Sequence, residues 1–129
     1  MEIRVALDTN RLTDLFRGDA ELGELLATCD EVWVPLIVLA EIKAGIYGGA
    51  QRSRNEALLQ ALLAKPTVGI LLPDRETAEQ YARLFAQLKR AGTPVPDNDL
   101  WIAALVVQHD LALVTRDRHF RCIPQLRSR

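Results

Sequence analysis

The segment Ile3-Arg4-Val5-Ala6-Leu7-Asp8-Thr9-Asn10 decides the architecture. Ile3, Val5 and Leu7 alternate with other residues, the period of a strand, and the apolar pattern stops at Asp8-Thr9-Asn10, so a first strand runs into a turn. That strand ends on a carboxylate. Leu12, Leu15 and Phe16 follow at helical spacing up to Gly18. Asp19 then caps a second helix whose face carries Leu22, Leu25, Leu26 and Cys29.

The same alternation of elements continues outward. Val32 to Val34 predicts a short strand, Pro35 opens an apolar helix that runs to the Gly48-Gly49 break, and another helix covers about Asn55 to Ala64. Val68 to Leu72 predicts a third strand. After the cap at Pro73-Asp74, Tyr81, Leu84, Phe85 and Leu88 form the buried stripe of a long helix closed by Gly92. Pro94 and Pro96 break the chain, and one of Asp97, Asn98 and Asp99 is expected to cap an apolar helix from Leu100 to Val107. Leu111 to Thr115 predicts a buried strand running into Arg116-Asp117, with a short last strand near Cys122 to Ile123. Strands separated by helices need crossover connections, so the expected class is α/β, with a mainly parallel central sheet of four to five strands and helices on both faces.

Composition bounds this reading. A chain of 129 residues is the size of one domain, expected to span 1–129. Hydrophobic residues at 49% and charged residues at 26% exclude a disordered or collagen-like chain. The longest uncharged apolar stretch, Val32 to Ala40, falls far short of the roughly 18 residues that span a bilayer. No export signal is read at the start, so the expected compartment is the cytoplasm. Cys29 and Cys122 are too far apart in sequence for a metal-binding pair and are expected to be reduced core fillers. A net charge of -1 excludes a protein that coats polyanions with its whole surface. Charge is nevertheless local: from Leu113 to Arg129, Arg116, Arg118, Arg121, Arg127 and Arg129 face the single acid Asp117.

Ligands of open parallel sheets sit beyond the carboxyl ends of the strands, where Asp8 and Asp117 are expected. Each alone is an ordinary turn residue. Asp97 and Asp99 flank Asn98 before a helix, one acid more than a cap requires. Glu41 interrupts the apolar run Pro35 to Ile42, and its neighbours at helical spacing, Ile37, Val38, Ala44 and Gly45, carry no charge. A carboxylate there needs a cation or metal, a partner such as Arg11, or an outlet to water. Two strand ends and a helix start on one sheet edge bring Asp8, Asp99 and Asp117 together, with Glu41 arriving from the helix after strand two. Crowded carboxylates take up protons or bind a cation, and oxygen ligation without a His or Cys cluster selects Mg²⁺ or Mn²⁺. Such a site suits hydrolysis at phosphorus, with the arginines near Asp117, namely Arg116, Arg118 and Arg121, holding phosphate. His109 reads as a helix-end residue and His119 as a surface residue within reach of phosphate.

Taken in order, Leu7-Asp8-Thr9-Asn10, the Pro35-to-Gly45 segment with Glu41, the run Gly92 to Ala104 and Leu113-Val114-Thr115-Arg116-Asp117 with Phe120 resemble a PIN-domain ribonuclease. The short stand-alone form is similar to a VapC-type toxin of a type II toxin–antitoxin pair. The resemblance implies a three-layer α/β/α fold and Mg²⁺-dependent endonucleolytic hydrolysis of RNA, leaving 5′-phosphate and 3′-hydroxyl ends. It puts metal binding on Asp8, Glu41, Asp99 and Asp117, with Asn10 and Thr115 as polar supports and Asp97 either supporting the ligands or capping the helix. It also implies a homodimer that assembles with a VapB-type antitoxin into a heterotetramer or larger complex, the antitoxin's C-terminal segment covering the acidic groove.

Other classes fit less well. A phosphoacceptor receiver domain wants adjacent acids after its first strand and a lysine after its last, whereas this chain has Asp8-Thr9-Asn10 and only Lys43, Lys65 and Lys89. A phosphatase with an Asp-x-Asp nucleophile fails because Asn10 takes the second acidic position. A PIN nuclease of RNA maturation or DNA processing, and a non-catalytic interaction module, stay open at this stage.

Overall fold

Strand β1 (Arg4–Leu7) has Val5, Ala6 and Leu7 all fully buried, the mark of a strand covered on both faces. The computed structural model, which describes residues 1–129, places it at the centre of a five-stranded sheet ordered β3-β2-β1-β4-β5. The other strands are β2 (Glu31–Pro35), β3 (Val68–Leu71), β4 (Ala112–Val114) and β5 (Arg127–Ser128), and every pairing is parallel. Six helices flank the sheet: α1 (Thr9–Phe16), α2 (Ala20–Ala27), α3 (Leu36–Gly48), α4 (Arg52–Leu63), α5 (Arg75–Ala91) and α6 (Asp97–Gln108). No helix is long and apolar enough to cross a membrane.

The chain leaves β1 for β2 and β3 on one side and returns to β4 on the other, so the strand order reverses at β1. Open α/β sheets open a ligand crevice at such a reversal, beyond the carboxyl ends of the strands. Register makes the placement specific: Leu7 pairs with Val114, and the Asp8 N–H donates to the Val114 carbonyl at 3.3 Å. Asp8 and Thr115 are therefore neighbours by backbone pairing alone.

Helix α6 carries the deepest helical residues, with Leu100, Ile102, Ala103, Ala104, Leu105 and Val106 all buried. A helix apolar on most of its circumference is enclosed on several sides, which holds its first turn firmly against the sheet edge. Helix α5 packs along it. Asp74 caps α5 through a reciprocal box with Thr77, and Gly92 closes it at φ 68°, where only glycine is unstrained.

Three boundaries differ from the sequence reading by three residues or more. Helix α4 begins at Arg52, three residues before Asn55. Helix α6 begins at Asp97 with Pro96 as its cap residue, so Asp97, Asn98 and Asp99 form its first turn and none of them caps it. The last strand is not at Cys122–Ile123: Arg118–Cys122 is a 3₁₀ helix, and β5 forms only at Arg127–Ser128. Phe120 and Ile123 are both buried and three residues apart, the 3₁₀ period, and Pro124 has no N–H for a ladder.

Packing between β2 and β3 leaves no room at Gly69, which pairs with Trp33. A Cβ at Gly69 would lie 2.7 Å from the Trp33 ring, and that ring is tethered by its Nε1–H donating to Glu31 Oε1 at 2.7 Å. Gly69→Ala is expected to cost about 1–3 kcal/mol in urea unfolding, the usual cost of overpacking. Unchanged stability would show that the indole moves aside freely.

Candidate active site

Asp8 is the first residue beyond β1 and the cap of α1. Its Oδ1 accepts the Arg11 N–H at 2.9 Å and its Oδ2 accepts the Thr115 hydroxyl, which fixes both oxygens while the residue stays 3% exposed. Burial pushes the Asp8 carboxyl above the ordinary carboxylate range and nearby Asp117 adds to the rise, against the two hydrogen bonds.

Glu41 lies in the second turn of α3, which starts directly after β2, and it projects back over the strand end. Its Oε1 accepts the Thr9 hydroxyl at 2.8 Å and its Oε2 accepts Asn98 Nδ2–H at 2.9 Å. Neutral donors therefore satisfy this carboxylate. Arg11, the cation that could have neutralised it, pairs with Asp14 at 3.1 Å and Asp19 at 3.5 Å instead.

The first turn of α6 sends its three polar side chains in three directions, as about 100° per residue requires. Asp97 turns away from the acidic cleft and accepts the Tyr81 hydroxyl, lining an apolar cleft with Tyr81 and Phe85 on α5. Its expected place in support of the acids is taken by Asn98, which holds Glu41. Asp99 turns inward, 9% exposed, and burial raises its carboxyl, with His119 opposing and Asp117 and Glu41 reinforcing the rise.

Asp117 caps the 3₁₀ helix by accepting the His119 N–H at 2.9 Å, and its own N–H donates to Thr115 Oγ1 at 2.9 Å. The His119 ring folds back so that Nδ1 stands 3.2 Å from Asp99 Oδ2 and 3.2 Å from Asp117 Oδ1. Asp8, Glu41, Asp99 and Asp117 thus line one cleft of about 210 Å³, together with Thr9, Asn98, His119 and the exposed Asn10 at its mouth. The tightest group is narrower than the four acids: one ligating atom each from Asp99, Asp117 and His119 lies within 4.8 Å of the other two.

The arginines divide. Arg116 places Nε 2.9 Å and Nη2 3.3 Å from the two Asp14 carboxylate oxygens, which holds that carboxyl below its usual range, so this guanidinium is not directed at the cleft. Arg118 and Arg121 are exposed on the 3₁₀ helix and pair with no carboxylate. Thr9 and Asn98 are the site residues that sequence reasoning missed, and His119, expected at the surface within reach of phosphate, has Nδ1 against Asp99 and Asp117 instead. Pro96 ahead of Asp97 was the available signal for an earlier helix start, and with it for the direction of Asn98.

The donor set fits a hard divalent cation. Two buried carboxylates are raised by desolvation and by other acids, no lysine or arginine lines the cleft, and the donors are oxygen-rich.

Comparison with known proteins agrees with this geometry. The PIN domain family model matches residues 5–126. Ribonuclease VapC5 of Mycobacterium tuberculosis is 31% identical over 94 residues, which cover 73% of this chain and 70% of that protein. Among solved structures, VapBC2 of Rickettsia felis, bound to a DNA fragment from its promoter, superposes with a TM-score of 0.86 at 26% identity over 98% of each chain. VapBC-5 of Mycobacterium tuberculosis, a toxin–antitoxin system, superposes with a TM-score of 0.75 at 27% identity, covering 97% of this chain and 96% of that one.

The buried acids set a pH dependence. A raised folded-state value means that the unfolded chain loses its proton first, so each such acid lowers stability as pH rises through the carboxylate range, and costs nothing below it. With chelator present, Asp99→Asn is expected to gain stability relative to wild type in thermal melts as pH rises above about 4, the ordinary carboxylate value. A difference between the two proteins that does not vary with pH would contradict this.

Proposed function

The chain belongs to the PIN-domain family, and on that premise we propose that it is a VapC-type endoribonuclease whose Asp8, Glu41, Asp99 and Asp117 hold Mg²⁺. The observation that carries this reading is the convergence of these four acids on one cleft, oriented by hydroxyl, amide and backbone donors and without a neutralising lysine or arginine.

When bound, the cation supplies a lowered pKa for an attacking water and stabilisation of the charge that develops on the phosphoryl oxygens. The chain supplies orientation. Thr115 and the Arg11 N–H fix Asp8, and Thr9 and Asn98 hold Glu41 from opposite oxygens, so the negative pocket persists without collapsing onto a basic side chain. Arg118 and Arg121, exposed and free of carboxylate partners on the 3₁₀ helix that also carries His119, contact RNA phosphates beside the cut, while Asn10 at the mouth offers an amide to the nucleotide held there. Hydrolysis by in-line attack leaves a 5′-phosphate and a 3′-hydroxyl.

The chain is the toxin of a VapBC-type pair, and its partner is a VapB-type antitoxin. We assign it a homodimer as the unit that the antitoxin binds, giving a heterotetramer or a larger complex.

Incubated with total RNA, the wild-type chain is expected to cut only when Mg²⁺ or Mn²⁺ is present, and Asp8→Asn to lose at least about 10²-fold in rate with an unchanged far-UV spectrum. Thr9→Val, which frees one Glu41 oxygen, is expected to weaken metal affinity by roughly 10–100-fold. Cleavage that survives chelation, or Asp8→Asn cutting at the wild-type rate, would remove the metal reading.

Expression in a bacterial host is expected to arrest growth, with relief by co-expression of the cognate VapB-type antitoxin and no arrest by Asp8→Asn. Harmless expression of a soluble, RNA-cutting chain would point to RNA maturation instead.

A further inference from the structure

His119 is the one polar residue of the cleft that the carboxylate reading leaves without a task. It is not an incidental surface histidine. Its N–H is bound to Asp117 Oδ1 at 2.9 Å, its carbonyl accepts the Cys122 thiol at 3.1 Å, and the next residue, Phe120, is 2% exposed and anchors the 3₁₀ helix in the core. The backbone beneath the ring is therefore held in place. From that base Nδ1, rather than Nε2, faces the acids, at 3.2 Å from an oxygen of each of Asp99 and Asp117. The rest of the ring is half exposed, so Nε2 can stay hydrated.

These spacings suit a shared cation. Two neighbouring ligands of an octahedral ion at about 2.1 Å stand about 3.0 Å apart, close to the separation on both sides of Nδ1. The third edge of the triangle, between Asp99 and Asp117, also lies within 4.8 Å. The other edge of the cleft is built differently. Glu41 has both oxygens occupied by neutral donors and Asp8 is held by Thr115 and a backbone N–H, whereas Asp99 meets only the imidazole, whose Nδ1 is free to ligate in the tautomer that carries its proton on the hydrated Nε2. Asp99, Asp117 and His119 are thus the ligating group with the least competition from donors fixed elsewhere.

We propose that His119 Nδ1 is a ligand of the divalent cation, joining Asp99 and Asp117 in a mixed oxygen and nitrogen site that favours Mn²⁺ over Mg²⁺. Imidazole suits transition ions, and Mg²⁺ prefers an all-oxygen sphere that keeps its waters, so one nitrogen shifts the balance toward Mn²⁺ while leaving Mg²⁺ able to bind through the acids. The inference rests on the cleft being the metal site, and it adds the identity of one ligand and the direction of the metal preference.

The test is pulsed electron paramagnetic resonance of Mn²⁺ bound to the full chain, with Mn²⁺ and Mg²⁺ affinities measured by calorimetry. Nitrogen modulation from a directly bound imidazole is expected in the wild type. It should persist in His109→Gln, which alters the only other histidine, and disappear in His119→Gln. His119→Gln is also expected to bind Mn²⁺ at least about 10-fold more weakly, a loss that even an outer partner of a ligand produces, while Mg²⁺ affinity changes less. Bound Mn²⁺ without nitrogen modulation, or equal affinities in wild type and His119→Gln, overturns the inference and leaves the carboxylate site standing. Wild-type chain that takes up neither ion overturns the metal reading of the cleft itself, and this inference with it.

Discussion

The hydrogen bond from the Asp8 N–H to the Val114 carbonyl carries the β1–β4 ladder one residue past the end of both strands, and the site depends on it. It sets Asp8 beside Thr115, and through the Thr115 hydroxyl beside Asp117, so that residues more than a hundred positions apart share one polar surface. Two of these acids are then buried next to further acids. Burial and repulsion both favour their protonated forms, so the folded chain holds an unfavourable charge arrangement that a bound cation would relieve. Core packing supplies what holds the arrangement together: β1 is covered on both faces, and α6, which delivers Asp99, is buried along most of its circumference.

A pocket of this charge would ordinarily attract the nearest guanidinium, and the chain disposes of two of them with one residue. Asp14, on α1, pairs with Arg11 at 3.1 Å and with Arg116 at 2.9 Å, and both cations lie close in sequence to cleft acids. With those guanidiniums engaged on Asp14, the cleft keeps its negative charge and its donors are hydroxyls, an amide and backbone N–H groups. These fix carboxylate oxygens without neutralising them, which is the requirement for binding a metal rather than forming an internal salt bridge.

Much of this was legible from residue order. Apolar period and chain breaks placed each of the first four strands and all six helices: β1 is buried on both faces, and glycine closes α3 and α5, which leaves strong local signals. The convergence of Asp8, Glu41, Asp99 and Asp117 was legible for a topological reason: acids at strand ends and helix starts of a parallel sheet meet at its carboxyl edge. What was not legible turned on orientation. Starting α6 at Asp97 rather than Leu100 rotates the whole Asp-Asn-Asp run, which sends Asp97 to Tyr81 and brings Asn98 to Glu41. The 3₁₀ helix after Asp117 replaced an expected strand and set His119 Nδ1 against Asp99 and Asp117, and Arg116 was drawn to Asp14 by a contact that spans 102 positions. Pro96 and the Phe120–Ile123 spacing are local signs of the α6 start and of the 3₁₀ turn, but the contacts that follow, with Tyr81, Glu41, Asp99 and Asp14, depend on side chains distant in sequence.

Whether the acid cleft gathers a divalent cation is tested most directly by diffraction from crystals soaked in Mn²⁺ and recorded at the manganese edge. The expected result is an anomalous peak enclosed by Asp8, Glu41, Asp99 and Asp117. An empty cleft at saturating Mn²⁺, or a peak confined to acids elsewhere on the surface, would contradict it.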